Sequence, residues 1–206
     1  QGLYPPGSTF KMLTGLAALK AGVIDRSETV WCPGHMQFGG RRFHCWKRGG
    51  HGHVDYDKAI VQSCDVYFYE AAKRLGIDPL AETCHDFGLG MRFDLPMSAV
   101  AEGIVPSTQW KAQVRGEVWR PGDTLNAAIG QGYVLASPLQ LAVMTARLAT
   151  GRAVEPRLVR SIDGVEVPVA EAPDIDQIRV VYHEELAATN ALLRERWEQA
   201  SRFEEG

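Results

Sequence analysis

Gly2-Leu3-Tyr4-Pro5-Pro6-Gly7-Ser8-Thr9-Phe10-Lys11 sets how the rest of this 206-residue chain is read. Pro5-Pro6-Gly7 is a stiff turn, and Ser8 stands where a helix begins. The run Met12-Leu13-Thr14-Gly15-Leu16-Ala17-Ala18-Leu19-Lys20-Ala21 is apolar and helix-compatible, and Gly22 stops it. Ser8 is therefore expected at a helix N-terminus, where free N–H groups and the helix dipole favour developing negative charge. Lys11 follows three residues later, on the same face. The dipole and burial there favour a neutral amine, and a neutral amine beside a hydroxyl is one way to make serine a nucleophile. Taken alone, the same four residues also describe a serine cap on a core helix with a solvent-facing lysine.

Beyond this stretch, composition excludes several classes. With 45% hydrophobic and 23% charged residues the chain is that of an ordinary globular protein. A net charge of -3 implies no general attraction to nucleic acid. No apolar run approaches the ~18 residues of a membrane-spanning helix. Neither a signal peptide nor an initiator Met precedes the motif, so the chain reads as a piece of a longer protein.

From Cys32-Pro33-Gly34 to Gly52 the sequence is rich in Gly, His and Arg and lacks apolar periodicity. It predicts irregular structure, with short extended pieces around Met36–Phe38 and Arg42-Phe43. Loops this long inside a domain are usually functional or held by something. Asp55 is placed to cap a short helix through Val61, and a second helix is expected from Val66 to Leu75, ended by Gly76. Asp78-Pro79 reads as cap and first position of another helix, to about Phe87. Residues 94–122 read as loop, anchored by burial of Trp110 and Trp119. Ser137-Pro138 opens a helix to Ala149, and Gly151 stops it. Asp163-Gly164 is a two-residue hairpin signal between Leu158–Ile162 and Val165–Val167. Ile178–Val181 reads as extended, and 184–203 as helical.

Three further groups of residues carry possible chemistry. Ser63-Cys64-Asp65 either caps the helix that follows or supplies a second hydroxyl able to relay a proton near Lys11, with Asp65 holding the lysine or the substrate backbone. Gly130-Gln131-Gly132 stands before the Ser137-Pro138 helix and is neither a Walker loop nor a dinucleotide fingerprint. Its closely spaced glycines allow close backbone approach. Cys32, Cys45, His51 and Cys64 are spaced 13, 6 and 13 residues apart. Three thiolates and an imidazole make a closed, structural zinc site, but the spacing is not that of a standard zinc finger. Disulfides or free buried thiols remain open on pattern alone. Cys84 falls on a helix and is expected to be a buried apolar residue, with His35, His44 and His53 at the surface or in loops.

The wording Tyr4-Pro5-Pro6-Gly7-Ser8-Thr9-Phe10-Lys11, with Ser63-x-Asp65 and Asp65-Val66-Tyr67-Phe68-Tyr69, resembles the class B penicillin-binding proteins. Ile129–Tyr133 and Ala136–Ala142 are similar to the family's Gly-Gln-Gly segment and the helix after it. Within the family, the resemblance is to the elongation-type penicillin-binding protein 2 group. It implies an α/β (α+β) serine acyltransferase fold, with a five-stranded antiparallel sheet beside an all-helical subdomain. It also implies peptidoglycan D,D-transpeptidase activity. Ser8 would attack the D-Ala-D-Ala carbonyl of a stem peptide, Lys11 would take its proton, and Ser63 would assist the leaving D-Ala. The Ser8 N–H would form half of the oxyanion hole, and β-lactams would acylate Ser8 as substrate mimics. Gly130, Gln131 and Gly132 would line the substrate site. Some members of the penicillin-binding protein 2 group carry a metal site here, built from Asp, His and Cys. This chain has Cys32 and Cys45 where carboxylates serve in such relatives, which favours zinc at Cys32, Cys45, His51 and Cys64. The intact family member is held at the periplasmic face of the inner membrane by an N-terminal helix and partners a SEDS-type glycan polymerase of the elongation machinery.

The family's third element, Lys-Thr-Gly or Lys-Ser-Gly, occurs nowhere in the 206 residues. Resemblance is traced over residues 1–186 as a partial transpeptidase domain, and 187–206 reads as a divergent helical tail. Two rivals follow. A class D β-lactamase or β-lactam sensor also uses Ser-Thr-Phe-Lys but lacks the Gly-Gln-Gly segment, the Ser-x-Asp motif and the long loop. A non-catalytic, zinc-stabilised remnant would explain the missing third element.

Overall fold

The helix expected after Ser8 forms. In the computed structural model, which describes residues 2–97, 100–175 and 191, a 3-10 turn at Gly7–Phe10 runs into α1, Lys11–Lys20. Every residue from Lys11 to Ala18 is buried, so α1 is enclosed on all faces, as its uninterrupted apolar sequence demands. Leu13 and Leu16 are 0% and 2% exposed. They pack with Leu80, Phe87, Leu89, Met144 and Leu148 in the larger of the core clusters.

After α1 come four short strands: β1 (Val30–Cys32), β2 (His35–Phe38), β3 (Arg41–His44) and β4 (Gly52–Val54). They form two antiparallel ribbons, β1 with β4 and β2 with β3. The extended pieces expected in the glycine-rich loop are thus the β2–β3 hairpin, turning at Gly39-Gly40. Two crossings hold this segment together: Cys45 N–H donates to Gly34 O at 2.8 Å, and His51 N–H to Cys32 O at 3.1 Å. A Cβ on Gly50 would meet Cys32 O at 2.2 Å, and one on Gly34 would meet Arg48 O at 2.2 Å. Only glycine allows the two loops to cross this closely.

The helical part follows. α2 (Tyr56–Val61) is capped by Asp55, whose carboxylate accepts from Lys58 N at 2.8 Å. Then come α3 (Asp65–Leu75) and α4 (Ile77–Asp86). Asp78 does not cap α4. It is the helix's second residue, and its carboxylate instead accepts from the Thr108 N–H at 2.9 Å and from the Thr108 hydroxyl. Part of the stretch expected as loop is helical: α5 spans Thr108–Arg115, capped by Ser107 and ended by Gly116. A further helix, α6 (Pro121–Ala128), starts at a proline with Asp123 accepting from Arg120 N. Trp110 and Trp119 are only partly buried; both pack at a tilt against the Tyr133 ring.

α7 (Pro138–Thr150) opens as expected, with Ser137 and Gln140 bonding each other's backbone. The Asp163-Gly164 turn joins β5 (Ser161–Ile162) to β6 (Val165–Glu166). Tyr4 pairs with Ala136 through two backbone bonds, pinning the stretch before Ser8 to the approach of α7. Among the described residues no sheet is wider than two strands, so the five-stranded sheet implied by the resemblance is not among them. The segments 178–181 and 184–203, expected as extended and helical, and the tail 187–206 lie outside the described residues apart from Ala191. No described helix is long and apolar enough to cross a membrane.

Candidate active site and metal centre

Ser8 is exposed while Lys11, one helical turn on, is 2% exposed. The lysine therefore lies beneath the serine, inside the protein. A buried amine needs partners, and two elements supply them. Lys11 Nζ lies 3.2 Å from Ser8 Oγ, 2.9 Å from Ser63 O, 2.9 Å from Ser63 Oγ and 2.5 Å from Asp65 Oδ1. The Phe68 ring closes the remaining side at 5.9 Å. Four oxygens surround this nitrogen, and the Ser8 contact is the longest of the four.

Ser63 reaches Lys11 through an uncommon backbone. Its φ is +54°, left-handed territory that non-glycine residues seldom enter. The reason is local: α2 ends just before it, and Cys64 N–H reaches back to Ala59 O at 3.0 Å. This is the helix-ending motif whose left-handed position is usually glycine. The strained turn aims both the carbonyl and the hydroxyl of Ser63 at Lys11, and strain of this kind concentrates at functional sites. Asp65 is the first residue of α3. Its second oxygen accepts from Trp46 N–H at 2.8 Å. Neither Ser63 nor Asp65 is the helix cap; that position belongs to Cys64, whose side chain makes no capping bond.

The Cys64 side chain turns instead toward the loop between β1 and β4. The sulfurs of Cys32, Cys45 and Cys64 and a ring nitrogen of His51 all lie within 4.8 Å of one another, and all four residues are buried. None of the cysteines is in a disulfide. His51 Nδ1 is 3.6 Å from Cys32 Sγ and 3.5 Å from Cys45 Sγ. Zinc–sulfur and zinc–nitrogen bonds of ~2.3 and ~2.1 Å at a tetrahedral angle give a nitrogen–sulfur edge of ~3.6 Å, so the donor set fits that ion. The Cys64 thiol donates to Cys45, which holds the Cys45 thiol down at about 5 and drives the Cys64 thiol far up. Cys84 is elsewhere, fully buried in the helical core, and burial pushes its thiol up. His44 and His53 are exposed and His35 is half-buried.

A cavity of about 680 Å³ joins the two groups: Ser8, Ser63 and Asp65 line it together with Cys45, Trp46 and His51. Trp46 is 64% exposed, yet it is held by its backbone on Asp65, by its indole N–H on Gln62 O at 3.0 Å and by an edge-on contact with the His51 ring. Sequence reasoning does not single it out, although an aromatic residue directly after a candidate ligand is a usable signal. Gln131 also lines the cavity, while Gly130 is buried and Gly132 is exposed outside the lining. A larger concavity of about 920 Å³, bounded by the α3–α4 junction, α5 and Trp119, contains none of these groups.

Residues 1–201 match the model of the penicillin binding protein transpeptidase domain. The chain is 39% identical over 178 residues to the peptidoglycan D,D-transpeptidase MrdA of Acinetobacter baumannii, covering 84% of this chain and 26% of that protein. With MrdA of Escherichia coli K12 the identity is 36% over 191 residues, 89% of this chain and 30% of the relative. The chain thus spans little more than a quarter of the curated relatives it matches. Among solved structures, Pseudomonas aeruginosa PBP2 in complex with WCK 5153 superposes with a TM-score of 0.83 at 39% identity, over 93% of this chain and 44% of that one. The Helicobacter pylori complex of PBP2 with MreC gives 0.80 at 36% identity, over 91% and 34%. The chain belongs to the penicillin-binding protein transpeptidase domain family, with the fold of that family.

Proposed function

We propose that the protein containing this chain is a peptidoglycan D,D-transpeptidase of cell-wall elongation, working through an acyl-serine intermediate on Ser8. The observation that carries this reading is the convergence of Ser8, Ser63 and Asp65 on one buried amine, Lys11 Nζ. Ser8 Oγ attacks the carbonyl carbon of the penultimate D-Ala of a stem peptide, and its proton passes to Lys11. The Ser8 N–H, at the start of the helix, faces the oxyanion that forms. Ser63 Oγ, 2.9 Å from Lys11, hands its proton to the departing D-Ala nitrogen as the peptide bond breaks and takes a proton back from Lys11, which returns to the neutral amine. An amine of a neighbouring stem then attacks the ester carbonyl, forms the cross-link and returns the proton to Ser8. Asp65 fixes the lysine between the two hydroxyls, Gln131 borders the substrate, and Gly130 supports the Gly7-Ser8 turn from behind. β-Lactams enter the same path and stop at the ester.

Cys32, Cys45, His51 and Cys64 hold a zinc ion in this reading. With all four positions taken by protein it supplies structure, leaving none for an activated water. Cys64 lies between Ser63 and Asp65, and Cys45 precedes Trp46, so the same four residues tie the loop to the active site. The working location is the periplasmic face of the inner membrane. The partners are stem peptides, and, by analogy with relatives solved with MreC and in a peptidoglycan synthase complex, other elongation proteins including a glycan polymerase.

Incubating the chain with a fluorescent penicillin tests the chemistry. Labelling is expected to be slow without a Lys-Thr-Gly element, long-lived once formed, and absent from Ser8→Ala. Undiminished labelling of Ser8→Ala would sink the assignment, and rapid release of the label would favour a lactamase.

A further inference from the structure

α5 buries one residue, and it is a lysine. Lys111 is 2% exposed, a degree of burial lysines rarely reach without partners. Its ammonium lies 2.7 Å from Asp123 Oδ2 and 3.4 Å from Glu117 Oε2. It also sits over the ring of Tyr133 at 5.4 Å and over Trp119 at 5.9 Å. Trp110 packs against the same Tyr133 ring at 5.4 Å, and the Arg115 guanidinium lies 5.6 Å from it. Glu117 is 59% exposed and adds little. The contacts that matter are Asp123 and Tyr133.

Those two residues are the ends of one segment. Asp123 lies in the first turn of α6, where it also accepts from Arg120 N at 3.0 Å; Tyr133 ends the Gly130-Gln131-Gly132 loop that leaves that helix. The middle of the segment bears on the nucleophile. Gly7 N–H donates to Gly130 O at 3.0 Å, directly before Ser8. A Cβ on Gly130 would meet Gly7 O at 2.3 Å, so the two backbones touch with no side chain between them. Thr14 of α1 donates to Ala128 O at 2.7 Å, a second tie between the nucleophile's helix and this segment.

We infer that Lys111 is a positioning residue: it clamps both ends of the Asp123–Tyr133 segment and so presses Gly130 against the Gly7-Ser8 turn. The ion pair fixes the start of α6. The cation–π contact fixes the loop's exit. Without the clamp the loop is free to move away from Gly7, and Ser8 loses alignment with the carbonyl it attacks, the kind of small displacement that costs rate more than binding. Lys111 itself does not line the Ser8 cavity.

The inference rests on the acyl-serine reading for its consequence and on geometry for its cause, so two readouts are taken from the 206-residue chain. The first is hydrogen exchange of the Gly7 amide by NMR, with the Gly151 amide, bonded to Arg147 O at the far end of α7, as control. Lys111→Met is expected to speed Gly7 exchange about tenfold with Gly151 unchanged, since only a local opening becomes easier. Lys111→Arg, which keeps charge and reach, should return Gly7 to within about threefold of the parent. The second readout is penicillin acylation, split into the saturating rate constant and the binding constant. Lys111→Met should lower the former about tenfold and leave the latter within about threefold. Gly7 exchange unchanged in folded Lys111→Met, or Gly7 and Gly151 rising together, would overturn the inference in favour of a purely scaffolding lysine. Should Lys111→Met not fold, Asp123→Asn is read by the same two amides, and failure of both to fold would likewise show a scaffolding lysine and overturn the clamp. A parent chain that takes no penicillin would count against the proposed function, while Gly7 exchange still decides the clamp.

Discussion

One carboxylate, Asp65, has Lys11 on one oxygen and the backbone of Trp46 on the other, and the regions on its two sides are held by different physics. On the lysine side, α1 is enclosed by α3 and α4, and Phe10, Leu13 and Leu16 are at most 2% exposed. Burial of such side chains, at ~1.5–3 kcal/mol each, places Lys11 without help from any ligand. On the other side, the loop from Cys32 to Gly52 buries little besides Met36 and the cluster residues Cys32, Cys45 and His51. Ordering so many residues costs ~1–2 kcal/mol each in backbone entropy, and little apolar area offsets it. In the proposed zinc reading, Cys32, Cys45, His51 and Cys64 do for the loop what packing does for the helix. Asp65 is where one region can feel the other.

Disrupting the lysine side should have the largest effect. Lys11→Ala removes the proposed base and the partner of four oxygens at once, and penicillin acylation should fall ~10³-fold or more, read as the second-order labelling rate. An effect under tenfold would mean that another group takes the Ser8 proton.

Ser63 refines the contrast, because its hydroxyl and its backbone pull in opposite directions. Ser63→Gly relieves a left-handed residue and should raise thermal stability by ~1 kcal/mol while slowing acylation ~10–100-fold. Ser63→Ala should slow the reaction similarly with no such gain in stability. Equal melting points for the two variants would remove the strain argument.

Disrupting the loop side should act on stability first. Zinc removal by a chelator, or Cys45→Ser, should lower Tm by about 10 °C and slow acylation about tenfold through Trp46 and Asp65, while helical circular dichroism persists at lower temperature. A metal content below ~0.1 equivalent in the untreated protein would end the zinc assignment. Cys84→Ser is the smallest expected change: a modest stability loss from a hydroxyl in an apolar site, with zinc content and acylation unchanged. Loss of zinc in that variant would place the metal elsewhere.

The same contrast explains what residues alone reveal. α1, α2, α3 and α7 are legible because each has a local signal: an apolar run, the Asp55 cap, the Gly76 stop, the Ser137-Pro138 box. The Asp163-Gly164 hairpin is legible for the same reason. α5 is not, because Thr-Gln-Trp-Lys-Ala-Gln-Val-Arg has no apolar stripe and docks through a lysine. Its Ser107 cap and Gly116 stop are the available cues. α6 is hidden by the loop signals around it, and Pro121, which reads as a breaker, is its first helical residue. Asp78 reads as a cap, but the Thr108 backbone and hydroxyl, 30 residues away in sequence, compete for it. At the site, Ser8 and Lys11 are legible as neighbours on one turn. That Ser63 and Asp65 meet Lys11 depends on tertiary packing of α3 on α1, which no local pattern encodes; only the family resemblance points there. Ligand chemistry suggests grouping Cys32, Cys45, His51 and Cys64, but their meeting depends on the crossing of the β1–β4 loop onto α3. Trp46 emerges from the structure alone.

If Ser8 is the acylated residue and Lys11 its base, peptide mapping by mass spectrometry after penicillin treatment will show both at once. The adduct should sit on Ser8 and be absent from Lys11→Ala treated for the same time. An adduct on any other residue, or an equal adduct in Lys11→Ala, would contradict these assignments.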